Sequence, residues 1–407
     1  MVDASKFAAD RLIYFKASEI RELLKLTEGR EIISLAGGLP DPRVFKKEML
    51  AEIAREVIIE QGEKALQYSP TLGVTSFRKE LLEFERRHGL TIRDTDDVIV
   101  TVGSEESLYI ITRALINPGD IVIVEEPTYL AAINVFRQYE AQMIGIPIDE
   151  YGMKTDILEE KLKQLKAEGR LPKLVYSVPT AQNPSGVTMS NDRRKHLVEL
   201  ASEYDFLIIE DDPYSFFLFE DVDFTFIKNY DKEGRVLYVS TLSKILSPGL
   251  RIGWTIGDKS LIDLFELTKQ AIDLHTPTLT QYIAERALQK GVVDITANEA
   301  RNLYKIKRDV MLATLEEELS DYATWIKPIG GMFTMVILKD ETIDTKELLL
   351  KALDEGVAYV PGKSFYVSDK GKNTMRLNFS YPTPEQIEKG IRILSKVIRA
   401  HVKALAR

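Results

Sequence analysis

The sequence predicts an α/β protein: a large domain with a mainly parallel sheet covered by helices, followed by a smaller α+β domain. Between about residues 46 and 295, short apolar runs rich in β-branched residues alternate with amphipathic stretches of helical period. Strands buried on both faces and joined by crossover helices produce that alternation. After residue 296 the texture changes to one long helical run, then strands interleaved with helices. At 407 residues the chain is also longer than one ordinary core organises.

Residues 1–45 read as an arm, a short helix and a glycine turn that pack with the small domain. Ser18 is the expected N-cap of a helix over 19–26, and Gly29 its stop. Segment 34–42 is too rich in Gly and Pro to be helical. In the large domain, residues 46–295, strands are expected over 98–102, 121–125, 143–147, 174–178, 206–210, 236–240 and 252–256. Helices over 106–116, 130–139, 157–168 and 191–204 separate most of them. The small domain, residues 296–407, starts with a helix over 298–319. Strands over 333–338, 357–360 and 375–378 then alternate with helices over 345–355 and 384–401. Thr383-Pro-Glu-Gln386 has the form of a capping box with Pro at the first helical position.

Composition excludes several classes of function. Hydrophobic residues at 44% beside charged residues at 29% describe a soluble globular chain. A net charge of −9 argues against nucleic acid as a partner, because phosphate backbones call for a basic face. No apolar run is long enough to cross a bilayer. The opening Met1–Lys6 lacks a signal-peptide layout, so a cytoplasmic location is expected. The absence of cysteine removes disulfides and thiolate chemistry, and the four histidines (His88, His196, His275, His401) are scattered, so no metal site is expected.

The candidate chemistry sits just past strand ends, where ligands bind in such sheets. Lys244 follows the run 236–240 within Ser240-Thr-Leu-Ser-Lys-Ile-Leu-Ser-Pro-Gly-Leu-Arg251. A lysine flanked by hydroxyls and an arginine suits an imine-forming amine beside a phosphate, because nearby cations and desolvation free the amine. Arg251 offers a fork that matches a phosphate dianion. Gly103-Ser-Glu-Glu joins a strand to a helix, and free N–H groups at a helix start can hold an anion. Asp211, ending the run 206–210, is placed to pair with a protonated ring nitrogen, or alternatively to cap a helix. Pro179-Thr-Ala-Gln-Asn-Pro-Ser-Gly186 makes a rigid turn in which one X–Pro bond can be cis. Arg376, inside a strand-like run, needs a partner that a substrate carboxylate or a buried acid would supply.

Taken together, these segments resemble the class I and II aminotransferases of the fold-type-I pyridoxal-phosphate family, and most of all its kynurenine, 2-aminoadipate and archaeal aromatic branch. The likeness runs from Ser34-Leu-Ala-Gly-Gly-Leu-Pro through Gln67-Tyr-Ser-Pro to Arg376-Leu-Asn-Phe. It implies pyridoxal 5'-phosphate as cofactor and a catalytic set of Lys244, Asp211 and Tyr214. Lys244 matches the lysine that holds the cofactor as a Schiff base, and Asp211 the residue that keeps its ring nitrogen protonated. Asn183 and Tyr214 match the partners of the ring hydroxyl, and Tyr129 the aromatic stacked on the ring. Ser104, Glu105, Thr241, Ser243 and Arg251 match the phosphate seat, with Tyr68 reaching it from a second subunit of a homodimer with shared sites. Arg376 and Asn183 match the clamp on the substrate α-carboxylate, and Gly38, Leu39 and Phe333 the walls around its side chain. Arg21, on the arm helix, is the candidate sensor of a distal carboxylate. Two positions depart from the branch: Glu105 replaces a common glutamine and is expected to turn its side chain away, and Thr241 replaces a serine.

The expected activity is transfer of the amino group of an aromatic, 2-aminoadipate-like or broad-range L-amino acid to 2-oxoglutarate, by a ping-pong route. A lyase or decarboxylase of the same fold is the alternative. A regulator built on the same body would need a basic DNA-binding module ahead of it, and a dinucleotide enzyme a GxGxxG turn after a strand; the sequence offers neither.

Overall fold

The computed structural model describes residues 1–15, 22, 25 and 31–405. A short strand β1 (Ile33–Ser34) precedes the main sheet. That sheet is built from β2 (Asp96–Thr101), β3 (Ile121–Glu126), β4 (Gln142–Asp149), β5 (Gly152–Met153), β6 (Leu174–Ser177), β7 (Leu207–Asp211), β8 (Val236–Thr241) and β9 (Gly253–Asp258). Runs such as Ile-Val-Ile-Val-Glu-Glu in β3 have no polar face, and every residue of β3 and of β8 is buried. Helices on both sides provide that cover.

The strand order is β2-β9-β8-β7-β6-β3-β4-β5. Neighbours from β8 through β4 are parallel. The mainly parallel sheet is therefore present, with one internal exception: β9 runs antiparallel to both β8 and β2. The cause is chain length, because Thr241 of β8 pairs with Gly253 of β9. A return that short has no room for the crossover helix a parallel neighbour requires. The chain steps outward from β3 to β4, then back to β6, β7 and β8. The carboxyl ends of β2, β3, β6, β7 and β8 thus share one edge, the usual place for a ligand in an open α/β sheet.

Beyond it lie β10 (Ala323–Trp325), β11 (Phe333–Leu338), β12 (Val357–Ala358), β13 (Val360–Pro361) and β14 (Thr374–Asn378). Four of these form an antiparallel sheet in the order β10-β11-β14-β13. The single strand expected over 357–360 is two: β12 pairs with β1 while β13 pairs with β14, so the chain changes partner at Tyr359. The helix expected from 298 begins earlier, at Val292, directly after Gly291 in the left-handed region. The boundary expected after residue 295 therefore falls within its first turn. Both halves of the capping box form: Thr383 N–H donates to Gln386 Oε1 at 2.9 Å, and Gln386 N–H to Thr383 Oγ1 at 3.2 Å. Helices Lys47–Ala65, Thr75–Arg87, Lys259–Gln270 and Thr278–Gln289 were not singled out from the sequence pattern. The helix expected over 19–26, with Ser18 and Gly29, lies outside the described residues apart from 22 and 25. Among the described residues no helix is long and apolar enough to cross a membrane, and no cluster of His, Asp and Glu could hold a metal ion.

Candidate active site

A cavity with about 850 Å³ of space, part of it open to solvent, lies at the shared carboxyl edge. Lys244 enters it from the loop after β8, and its Nζ donates to the Gly38 carbonyl at 2.9 Å. Burial first, then the positive charges of Arg376 and Arg251, lowers this amine from 10.5 to about 8. At pH 7 roughly a tenth of the side chain is thus the free nucleophile.

Asp211, at the end of β7, lines the same cavity. Its Oδ2 accepts a 2.6 Å hydrogen bond from the Tyr176 hydroxyl. Its Oδ1 is buried and has no hydrogen-bond partner. Burial, helped by the negative charge of Asp212 and opposed by Tyr176, pushes this carboxyl from 3.8 up to about 7. A buried, half-satisfied carboxylate is costly, and a cationic N–H donor would relieve it. Tyr129 and Tyr214 also line the cavity, and burial raises both phenols well above their usual range. Asn183 follows β6, its peptide to Pro184 is cis, and its Nδ2 lies 3.5 Å from the Tyr214 hydroxyl.

An anion cradle forms where three segments meet. The helix Gly103–Leu115 presents its first turn at the end of β2, with no side-chain cap on its free N–H groups. Arg251 packs against that turn and donates to the Val102 carbonyl at 3.3 Å. Only glycine fits at 103, where φ is +73° and a Cβ would strike the guanidinium; a Cβ at Gly253 would lie 2.5 Å from the Ser104 nitrogen. Thr241 and Ser243 complete the cradle, their hydroxyls 2.9 Å apart and the Thr241 hydroxyl also accepting from the Ser243 N–H at 3.0 Å. Threonine serves here because its Oγ1 also reaches the Ile252 carbonyl at 2.9 Å. Glu105 lines the cavity from an exposed position, and after burial its charge is the largest cause of the rise at Tyr129.

The small sheet supplies the last charge. Arg376 on β14 is 1% exposed, and its guanidinium sits 4.2 Å from the Phe333 ring centre. It donates to Asn183 Oδ1 at 2.9 Å and to the Ala36 carbonyl at 2.7 Å, while its Nε has no partner. Burial lowers it from 12.5 to about 10, against the favourable pull of Tyr214 and Tyr129. No carboxylate pairs with it among the described residues, so the site holds a desolvated cation ready for an anionic guest.

Gly38 and Phe333 line the cavity, and a Cβ at Gly38 would lie 3.1 Å from the Phe333 ring. Leu39 does not line it; this side chain is 46% exposed, although its carbonyl accepts from Ser380 at 2.7 Å. Tyr68 is 78% exposed and stands against His275, away from the cavity. Arg21 lies outside the described residues. Sequence reasoning missed Tyr176, and it missed the main-chain carbonyls of Ala36 and Gly38 that hold Arg376 and Lys244.

The profile of the family described as Aminotransferase class I and II matches residues 30–394. An aromatic-amino-acid aminotransferase of Thermococcus litoralis is 47% identical over 403 residues, covering 99% of this chain and 96% of that protein. The 2-aminoadipate transaminase of Thermus thermophilus is 34% identical over 387 residues, 94% of each chain. Among solved structures, the kynurenine aminotransferase of Pyrococcus horikoshii in complex with PMP superposes with a TM-score of 0.95 at 48% identity, covering 98% of both chains.

Proposed function

The chain belongs to the class I and II aminotransferases, a transaminase of the aromatic, kynurenine or aminoadipate type that uses pyridoxal phosphate, and from that premise we propose that it transfers the amino group of aromatic, 2-aminoadipate-like or a broad range of L-amino acids to 2-oxoglutarate by a ping-pong route. The observation that carries this reading is the convergence of Lys244 Nζ, the unpartnered Asp211 Oδ1 and the unpaired Arg376 guanidinium on one cavity.

The residues present suit the cofactor. Asp211 Oδ1 is assigned to its ring nitrogen, because a protonated ring nitrogen gives that buried oxygen the donor it lacks. Asn183 and Tyr214 are assigned to the ring hydroxyl, Tyr129 to the ring face, and Ser104, Glu105 N–H, Thr241, Ser243 and Arg251 to the phosphate. When bound, pyridoxal phosphate supplies an aldehyde that captures amines and a ring that accepts the electron pair left at a substrate Cα.

The chain's own groups do the rest. Arg376 and Asn183 would fix the α-carboxylate of the incoming amino acid and so limit the orientations of its Cα–H bond. Asp211 would be ionised beside a positive ring nitrogen and would keep that nitrogen protonated. Lys244, once free, is the base that takes the proton from Cα, and an amine lowered to about 8 is matched to work near neutral pH. Phe333 and Gly38 bound the space for the side chain.

Among the described lining residues the cations are Lys244, Arg251 and Arg376, and all three are committed. A distal carboxylate on 2-oxoglutarate therefore needs a further cation. Arg21 is the candidate, and Arg21→Ala is expected to change the ratio of glutamate to aromatic rates. Tyr68, exposed here, is assigned to the phosphate of a second subunit in a homodimer.

The test is a panel of phenylalanine, tyrosine, tryptophan, kynurenine, 2-aminoadipate, leucine and aspartate, each with and without 2-oxoglutarate. Parallel-line initial-rate plots and strict dependence on the 2-oxo acid are expected. Sustained turnover without any amino acceptor would overturn the reading.

A further inference from the structure

The cradle assigned to the phosphate contains a carboxylate as well as a cation. Glu105 is the second residue after Gly103 in the helix Gly103–Leu115, so its backbone N–H belongs to the first turn, the one assigned to the phosphate. Glu105 lines the same cavity, and its carboxylate makes no hydrogen bond or ion pair with any described residue. Its charge acts on the buried Tyr129, which lines the same cavity. The neighbouring acid behaves differently: Glu106 is tied to the buried Lys269 at 2.8 Å and to the Val102 N–H at 2.5 Å. In the first turn of a helix an acid gains a little from the helix dipole, which is reason enough for one there. A carboxylate near a phosphate, with no cation paired to it, works against the ligand.

We propose that Glu105 sets the enzyme's grip on the coenzyme phosphate, lowering affinity for the phosphorylated coenzyme below what a neutral side chain at this position gives. The inference rests on the phosphate seat proposed above. Its consequence falls mainly on the amine form. In the aldehyde form the covalent bond to Lys244 masks repulsion at the phosphate, whereas the amine form is held by non-covalent contacts alone. Glu105 therefore favours exchange of the coenzyme between half-reactions.

The experiment measures binding to cofactor-free protein by calorimetry, with two probes: pyridoxamine 5'-phosphate and pyridoxamine. Neither needs Lys244, and their affinity ratio isolates the phosphate. Glu105→Gln and Glu105→Ala are both expected to raise that ratio on the order of tenfold, with pyridoxamine affinity within about twofold of the parent as a check on folding. Arg251→Gln is expected to lower the ratio by about a hundredfold. If Arg251→Gln lowers the ratio while both Glu105 variants leave it unchanged, the seat stands and the role of Glu105 is overturned. A gain in the glutamine variant alone means a new amide hydrogen bond, and also overturns it. If Arg251→Gln has no effect, the phosphate lies elsewhere and the inference falls with the seat.

Discussion

Asp211→Asn tests the central electrostatic claim without any assay of turnover. Asn keeps the shape of Asp211 and leaves an oxygen for the Tyr176 hydroxyl, which now lies 2.6 Å from Oδ2. What it removes is an ionisation that the folded, cofactor-free protein resists. Burial lifts the Asp211 carboxyl from 3.8 to about 7. Between those two values the folded protein still binds a proton that the unfolded chain has lost. Stability must therefore fall as pH rises through that window, and level off above about 7. Two pH units of the window lie between pH 5 and pH 7, and at about 1.36 kcal/mol per unit the loss is roughly 2.7 kcal/mol.

For a chain of 407 residues, with an unfolding entropy of about 2.1 cal/mol/K per residue, that loss corresponds to about 3 °C in melting temperature. The assay is thermal melting of cofactor-free parent and variant at pH 5 and pH 8. Buried Glu125 and Glu210, both also raised to about 7, remain in both proteins and cancel in the difference. The variant's advantage over the parent is expected to grow by about 3 °C between pH 5 and pH 8. With saturating pyridoxal phosphate the parent is expected to recover most of that gap, because the ring nitrogen then pays for the charge. A difference between the two proteins that stays constant within 1 °C refutes the reasoning.

Arg376→Lys keeps the charge and loses the fork, so kcat/KM for every amino acid substrate is expected to drop about 100-fold or more while the bound-coenzyme absorbance band persists; a drop under threefold contradicts the clamp. Only unprotonated Lys244 attacks the coenzyme, so capture of pyridoxal phosphate by cofactor-free protein, followed by stopped-flow absorbance, is expected to speed up until pH passes about 8 and then level off. A rate still climbing at pH 10 marks an ordinary lysine. Mixing Lys244→Ala with Tyr68→Ala chains is expected to restore about a quarter of the parental activity, because each hybrid dimer then holds one intact site. No recovery above the separate variants rules out a shared site.

How far the site could be read from sequence depends on which atoms do the work. Side chains that end apolar strands were legible, because a charge at a buried strand end must have a reason: Asp211 closes β7 and Lys244 follows β8. The direction of β9 was legible too and went unread, since the segment between Thr241 and Gly253 is too short for a crossover. Leu39 shows the reverse limit, as residue type alone does not say whether a side chain turns into the cavity. The carbonyls of Ala36 and Gly38 could not be read, for every residue has one. Tyr176 is the instructive miss. Tyrosine inside a strand buried at every position must find a partner for its hydroxyl. Pairing sets Tyr176 opposite Ile209 on the adjacent strand, and Asp211, two residues further, projects from the same face. A tyrosine spans that diagonal, so the support beneath the key carboxylate follows from parallel pairing of two apolar runs and the period of a strand.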